Sequence, residues 1–172
     1  MQVFPFLGFG ENIIEQGDAL IGVFPSWIVG ENQRFAEILP SLLYGVRDDF
    51  SILWGFPTAL SYKEEGNHSS GFSDLFVQFE YAFYAKQKKT WTNEFTIVAS
   101  VFLPTGNECK IPATGLGSPN FFLGVTTSHL SVEWYFYLSG GGFFATHYDN
   151  NKIGNRFIYE FGFGKVCTFQ IL

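Results

Sequence analysis

Apolar and polar residues alternate with a period of two through most of this chain. The pattern is clearest in one segment, where one side carries Leu75, Val77, Phe79, Tyr81, Phe83 and Ala85 and the other carries Asp74, Phe76, Gln78, Glu80 and Tyr84. The next segment repeats it, with Trp91, Phe95, Ile97, Ala99, Val101 and Leu103 on one face. Because successive side chains of a strand point to opposite faces of a sheet, this period predicts β-strands with two chemically different faces.

The same pattern along the chain predicts eight strands in a single domain, residues 1–172. Their approximate ranges are 18–29, 34–46, 50–62, 72–86, 91–104, 120–128, 131–148 and 153–164. The two ends, 1–16 and 166–172, are poorly defined and are not assigned to strands. The run Gly140-Gly141-Gly142 falls inside the seventh strand and indicates a bend or bulge, because glycine tolerates the backbone conformations that such irregularities need.

Composition indicates which face of the sheet meets water. Aromatic residues make up 20% of the chain and charged residues only 15%, whereas ordinary soluble domains are about 25% charged. A soluble eight-stranded barrel has room inside for packed side chains or one small ligand, and the large apolar residues found here would overfill it. In a transmembrane barrel they face lipid instead. We therefore predict an all-β fold, an antiparallel up-and-down β-barrel of the transmembrane type with about eight strands present; the alternative is a soluble, lipocalin-like ligand-binding barrel.

The lengths of the connections favour the membrane barrel. Those at 47–49, 87–90 and 129–130 are short, whereas those at 63–71 and 105–119 are long and fall in the alternate positions. Outer-membrane barrels alternate short periplasmic turns with longer external loops in this way. The pattern predicts a periplasmic N-terminus.

The polar face of the strands supplies the candidate binding residues. The residues predicted to line the lumen are Asp74, Gln78, Glu80, Glu94, Glu133, Tyr135, Arg156 and Glu160. Five carboxylates against one guanidinium make this lumen acidic, and buried charges are costly unless they are paired or hydrated. Two interpretations stay open: the groups hydrogen-bond across strands and stiffen the wall, or they line a passage for cations or amphipathic solutes.

Other classes of function have little support in the sequence. A formal net charge of −6 without any basic block argues against nucleic-acid binding. His68, His129 and His147 are too scattered for metal-ligand spacing, and no nucleophile motif is present, so we predict no catalytic residue, no metal site and no cofactor. Cys109 and Cys167 allow at most one disulfide and leave the compartment open. An outer-membrane lipid-modifying enzyme is a third alternative.

Several short motifs resemble one family of outer-membrane proteins. The motifs are Tyr44-Gly45-Val46 before Arg47-Asp48-Asp49-Phe50-Ser51, then Gly71-Phe72-Ser73-Asp74-Leu75, Phe102-Leu103-Pro104-Thr105-Gly106, Gly115-Leu116-Gly117-Ser118-Pro119 and Phe161-Gly162-Phe163-Gly164. In this order they make residues 34–164 similar to the outer-membrane family named after the meta-pathway of phenol degradation. The resemblance implies a bacterial outer-membrane β-barrel, grouped with channels for hydrophobic compounds, whose partners are membrane lipid and a small solute.

The two ends of the chain depart from that family's pattern. Residues 1–16 have no Lys or Arg ahead of their apolar part and no small-residue cleavage site, so no signal peptide is predicted there. The chain stops at Phe169-Gln170-Ile171-Leu172 rather than on a strand with a terminal aromatic residue, and the family generally has more strands. We expect a fragment of a larger barrel.

Overall fold

The protein is described by a computed structural model over residues 12–146 and 154–165. These residues form ten strands, which are β1 (Ala19–Val29), β2 (Gln33–Arg47), β3 (Phe50–Gly55), β4 (Thr58–Glu64), β5 (Asn67–Phe72), β6 (Leu75–Lys88), β7 (Trp91–Leu103), β8 (Asn120–Ser131), β9 (Trp134–Ala145) and β10 (Arg156–Lys165). Within the described ranges, no helix has both the length and the apolar character that crossing a membrane requires. The predicted all-β class is confirmed.

The ten strands make eight antiparallel rows in chain order, where a row is either one strand or two consecutive strands that lie end to end. β3 and β4 pair with consecutive parts of β2, since Ser41 lies opposite Gly55 and Ile38 lies opposite Thr58. β3 also pairs with β6 and β4 with β5, so β5 and β6 make up the next row. The remaining rows follow as hairpins from β6 to β10, and β1 pairs with β2. The predicted up-and-down order is confirmed.

The strand predicted at 50–62 is interrupted at Phe56-Pro57. Proline has no N–H to donate to the sheet, and around it the backbone bonds are rearranged: Phe56 N donates to Pro40 O and Ser73 N donates to Pro57 O, both at 2.9 Å. The neighbouring row breaks at the same level, between β5 and β6. The strand predicted at 72–86 therefore begins at Leu75 instead.

The connection predicted as a long loop at 63–71 is a β-hairpin. β4 and β5 are joined by Glu65 and Gly66, whose φ angles are 50° and 86°. Positive φ at both central residues is the geometry of a tight turn whose twist matches that of the strands. The long loop predicted at 105–119 is confirmed as residues 104–119, and it lies beside β5, where Ser69 Oγ donates to Pro112 O at 2.6 Å.

The glycine run lies in a regular part of β9. Gly140 lies opposite Val125, and the register with both neighbouring strands is continuous through the run, so the bulge suggested by the sequence is absent. A Cβ on Gly141 would lie 2.5 Å from the backbone oxygen of Leu123 and 2.5 Å from the ring of Phe122. Glycine therefore leaves room both for the neighbouring strand and for an inward-pointing aromatic ring.

The sheet is a curled half-barrel whose two faces differ as the alternation predicts. Large apolar residues such as Phe79, Phe95 and Trp134 are exposed on the convex face, with exposed fractions of 37%, 42% and 39%. On the concave face Gln78 and Glu80 are 4% and 1% exposed. The concave face also carries a buried apolar cluster, formed by Leu39, Leu43, Leu53, Phe76, Val98, Phe102, Phe122 and Phe143. In the described part of the chain β1 and β10 do not pair with each other, and each has a single partner strand, so each leaves a free edge.

Candidate functional site

A buried polar network occupies the concave face of β3, β6 and β7. Gln78 Nε2 donates to Glu80 Oε1 at 2.6 Å, and Ser100 Oγ donates to Gln78 Oε1 at 3.0 Å. Side chains alternate between the two faces along β6 and along β7, and the strands are in register with Gln78 opposite Ser100. The three side chains therefore lie on the same face. The alternation thus brings together two of the residues predicted to line the lumen.

Glu80 is also bonded to a segment that precedes the first strand. Asn12 N donates to Glu80 Oε2 at 2.8 Å, and Asn12 Nδ2 donates to Glu80 Oε1 at 2.6 Å. Hydrogen bonds to a carboxylate offset much of the cost of burying its charge. The sequence gives no sign of this contact, because the two residues are 68 positions apart.

A second buried carboxylate, Glu37, was missed by the sequence analysis. It is 7% exposed and accepts a hydrogen bond from the hydroxyl of Tyr62. The ring of Phe35 packs edge-on against Tyr62, with ring centroids 5.1 Å apart. Glu37 is in phase with the inward residues Leu39 and Ser41 of β2, and that phase is the signal that identifies it.

Asp74 is buried at the end of the sheet that carries the long loop. Its Oδ1 accepts a hydrogen bond from Gly106 N at 2.9 Å, and its Oδ2 accepts one from Leu116 N at 2.7 Å. Burial raises the pKa of Asp74 and outweighs the two backbone hydrogen bonds, which lower it. Asp74 lies between β5 and β6, where it anchors both ends of residues 104–119.

The remaining predicted residues fall into two groups. Glu94 accepts a hydrogen bond from Thr96 Oγ1 at 3.0 Å on β7. On β9 and β10, Tyr137 OH donates to Glu160 Oε1 at 2.5 Å, and the ring centroids of Tyr135 and Tyr137 are 5.7 Å apart. These side chains form one cluster within β7 and one that joins β9 to β10, on the same face as Glu80 and farther along the sheet.

Glu133 and Arg156 lie outside these clusters. Glu133 is exposed in the two-residue turn before β9, because that strand begins at Trp134 rather than at 131. Arg156 is exposed as the first residue of β10, at the free edge of the sheet. The structure therefore does not bring the predicted guanidinium to the buried carboxylates.

An aromatic zone adjoins the polar network on the concave face. The ring centroids of Phe76 and Phe102 are 5.6 Å apart, as are those of Phe102 and Phe143. Phe76 and Phe102 face each other across β6 and β7, one inward position from Gln78 and Ser100 towards the long loop. The concave face therefore carries a buried apolar cluster directly beside buried hydrogen-bonding groups.

No metal centre is formed by the residues that the structure describes, since no three His, Cys, Asp or Glu side chains come together. His68 is exposed on β5 and His129 is half-buried on β8. Cys109 is exposed and carries a free thiol. His147 and Cys167 lie outside the described residues.

Comparison with known proteins identifies one family. The family model described as "Putative MetA-pathway of phenol degradation" matches residues 19–171. Searches of curated proteins and of solved structures gave no significant match. The resemblance that the motifs indicate over 34–164 is confirmed, and the match begins at the first residue of β1.

Proposed function

The chain belongs to the MetA-pathway family, and from this membership and its curled sheet we propose that it is part of the wall of a bacterial outer-membrane β-barrel that passes small hydrophobic or amphipathic solutes. The backbone groups at the edges of β1 and β10 would be unsatisfied in hydrocarbon. The proposal therefore includes pairing of both edges when the barrel closes in the membrane.

The observation that carries this proposal is the chemistry of the convex face. Leu123, Val125 and Phe161 are 55%, 57% and 71% exposed there, and equally exposed apolar residues continue across the neighbouring strands. Soluble monomers rarely expose contiguous apolar patches larger than a few hundred Å². Lipid is the solvent that matches such a surface, which argues against the soluble lipocalin-like barrel.

Aromatic and basic residues at the end with the short turns support the same arrangement. Lys88 Nζ lies 5.0 Å from the centroid of the Trp91 ring, and Lys165 Nζ lies 5.0 Å from that of Trp134. Tryptophan is enriched at membrane–water interfaces, and lysine can place its apolar stem along lipid while its charge stays in water. These pairs are suited to the periplasmic interface of a barrel.

The concave face supports a passage for amphipathic solutes. In this proposal the aromatic zone receives the rings or alkyl groups of the solute, and the adjoining carboxylate of Glu80 accepts hydrogen bonds from its polar groups. The family description refers to the degradation of phenol, a ring with one hydrogen-bond donor. We include aromatic alcohols among the proposed solutes on this basis.

Reconstitution tests the proposal. On an electrophoresis gel, the folded protein in detergent should migrate differently before and after boiling. In planar bilayers it should conduct ions, and in vesicles it should pass an aromatic alcohol. Glu80→Gln should reduce cation over anion selectivity, whereas Glu133→Gln, in an exposed turn, should leave it unchanged. A protein that stays monodisperse in buffer without detergent, or bilayers that show no conductance for the wild type and for every variant tested, would contradict the proposal.

A further inference from the structure

Residues 12–18 lie across the strands on the concave face. Gly45, Ser51 and Glu80 are register partners on β2, β3 and β6, and they form a line across these strands. The segment follows this line: Asn12 bonds to Glu80, Ile14 N donates to Ser51 Oγ at 3.1 Å, and Gly17 N donates to Gly45 O at 2.8 Å. It therefore covers the inner surface of three adjacent rows.

Three side-chain oxygens accept hydrogen bonds from the backbone of this segment. Alternate backbone N–H groups, at residues 12, 14 and 16, donate to side-chain oxygens of Glu80, Ser51 and Asp48, at 2.8, 3.1 and 2.9 Å. Glu80 and Ser51 are register partners on β6 and β3, whereas Asp48 lies in the exposed turn that joins β2 and β3. These three acceptors, together with Gly45 O, form the track on which the segment is bound.

Gly45 is required by this segment rather than by the barrel wall. A glycine inside a strand weakens it and often marks a site where another backbone approaches closely. A Cβ at Gly45 would lie 2.2 Å from Glu15 O and 2.9 Å from Ile14 O, and the three nearest atoms all belong to the segment. Its φ is not positive, so space and not backbone conformation explains the glycine.

We infer that residues 12–18 act as an internal plug: docked on this track they close the passage near its short-turn end, and solute passes when they leave. The inference rests on the proposed function, since it requires a passage to close. The plug and an amphipathic solute compete for the same carboxylate, because Asn12 takes up both oxygens of Glu80.

Substitution of Gly45 tests the plug without altering the predicted solute-facing residues. Gly45→Ala should displace the segment by steric clash and increase the time-averaged conductance several-fold. Gly140→Ala is the matched control, because a Cβ there would meet its nearest atom, on the Phe157 ring, at an ordinary 3.4 Å. The boiling-dependent gel shift verifies that both variants fold.

A reversible cross-link gives a second test. In a Cys109→Ser, Cys167→Ser background, Ile14→Cys and Ser51→Cys place two thiols at the point where the segment contacts β3. The disulfide should form in the refolded protein, and its reduction should raise conductance several-fold, with neither single-cysteine variant responding. Gel mobility after trypsin digestion reports the bond independently of conductance.

The outcomes separate the plug from the proposed function. Two results would overturn the plug and leave the channel. The first is failure of the disulfide to form. The second is equal conductance before and after reduction, together with a Gly45→Ala variant whose conductance equals that of the wild type. A disulfide that forms in a protein without conductance in any state or variant would overturn the proposed function, and the plug's closing role with it.

Discussion

Single buried carboxylates join parts of this protein that are distant in the chain. Glu80 holds Asn12, and Asp74 holds both ends of residues 104–119. Amide N–H groups donate hydrogen bonds to both carboxylates. Arg47–Asp49 is the ion pair found among residues 12–146 and 154–165, and it lies at an exposed turn. Burial of charge on the concave face is therefore offset by hydrogen bonds.

Asp74→Ala should loosen the long loop. The change leaves Gly106 N and Leu116 N without their acceptor, and an unsatisfied backbone donor costs about 1–3 kcal/mol. We expect faster protease cleavage within residues 104–119 and a lower free energy of unfolding in urea. Ser70→Ala, an exposed residue of β5, serves as a control; equal cleavage rates for the two variants would contradict the anchoring role.

Asp74 should also make stability depend on pH. Burial raises its folded-state pKa above the ordinary value of 3.8, so between these two values the native state binds more protons than the unfolded state. Stability then falls as pH rises through this window. Asp74→Asn has no titrating group at this position. We expect the unfolding free energy of the wild type minus that of Asp74→Asn to decrease from pH 3.5 to pH 7, and an increase would contradict the raised pKa.

At the same scale, sequence reasoning finds residues whose position depends on strand phase alone. The alternation along β6 predicts that Gln78 and Glu80 point inward. The alternation along β2 places Glu37 on the same inward face as Leu39 and Ser41. Asn12 cannot be found in this way, because its role depends on a contact with a strand 68 positions later. The prediction that Glu133 lies in a strand was wrong, because β9 begins at Trp134, three residues later than predicted.

At the scale of elements, side-chain alternation predicts the rows but not their interruptions. Burial continues to alternate through Phe56 and Pro57, so the pattern carries no sign that the row is broken there. The hairpin of β4 and β5 reads as a loop because most of its residues from 63 to 71 are polar and exposed. Strands whose two faces are both polar show no alternation of apolar and polar residues. The turn at Glu65-Gly66 is therefore the one sign of the hairpin that the sequence carries in 63–71.

That turn can be strengthened or weakened. Asn and Gly are the residues preferred where both central φ angles are positive, so Glu65→Asn should raise the free energy of unfolding by about 1 kcal/mol, because Asn tolerates the left-handed conformation better than Glu. Gly66→Ala should lower it by about 1 kcal/mol, because φ is 86° there. Urea unfolding measures both, and the same sign for the two changes would show that the turn does not limit stability.

At the scale of the whole molecule, the proposed wall in a lipid bilayer accounts for both the apolar convex face and the free edges of β1 and β10. Val125 lies near the middle of β8 and is 57% exposed. Arginine on the lipid face of a barrel costs about 2–4 kcal/mol at the bilayer midplane. Val125→Arg should therefore destabilise the folded protein in lipid by that amount, whereas Thr90→Arg in a short turn should have little effect. Equal effects would argue against lipid at Val125.

The most direct test is a nitroxide scan of residues 95–101 on β7 in lipid vesicles. Exposed and buried positions alternate here, with Phe95 and Ile97 on the convex face and Thr96, Val98 and Ser100 on the concave face. We expect labels at residues 95, 97 and 101 to collide with oxygen dissolved in lipid, and labels at residues 96, 98 and 100 to be shielded from it. High collision rates with a water-soluble nickel complex at residues 95, 97 and 101 would mean that the convex face meets water, and would contradict the membrane arrangement.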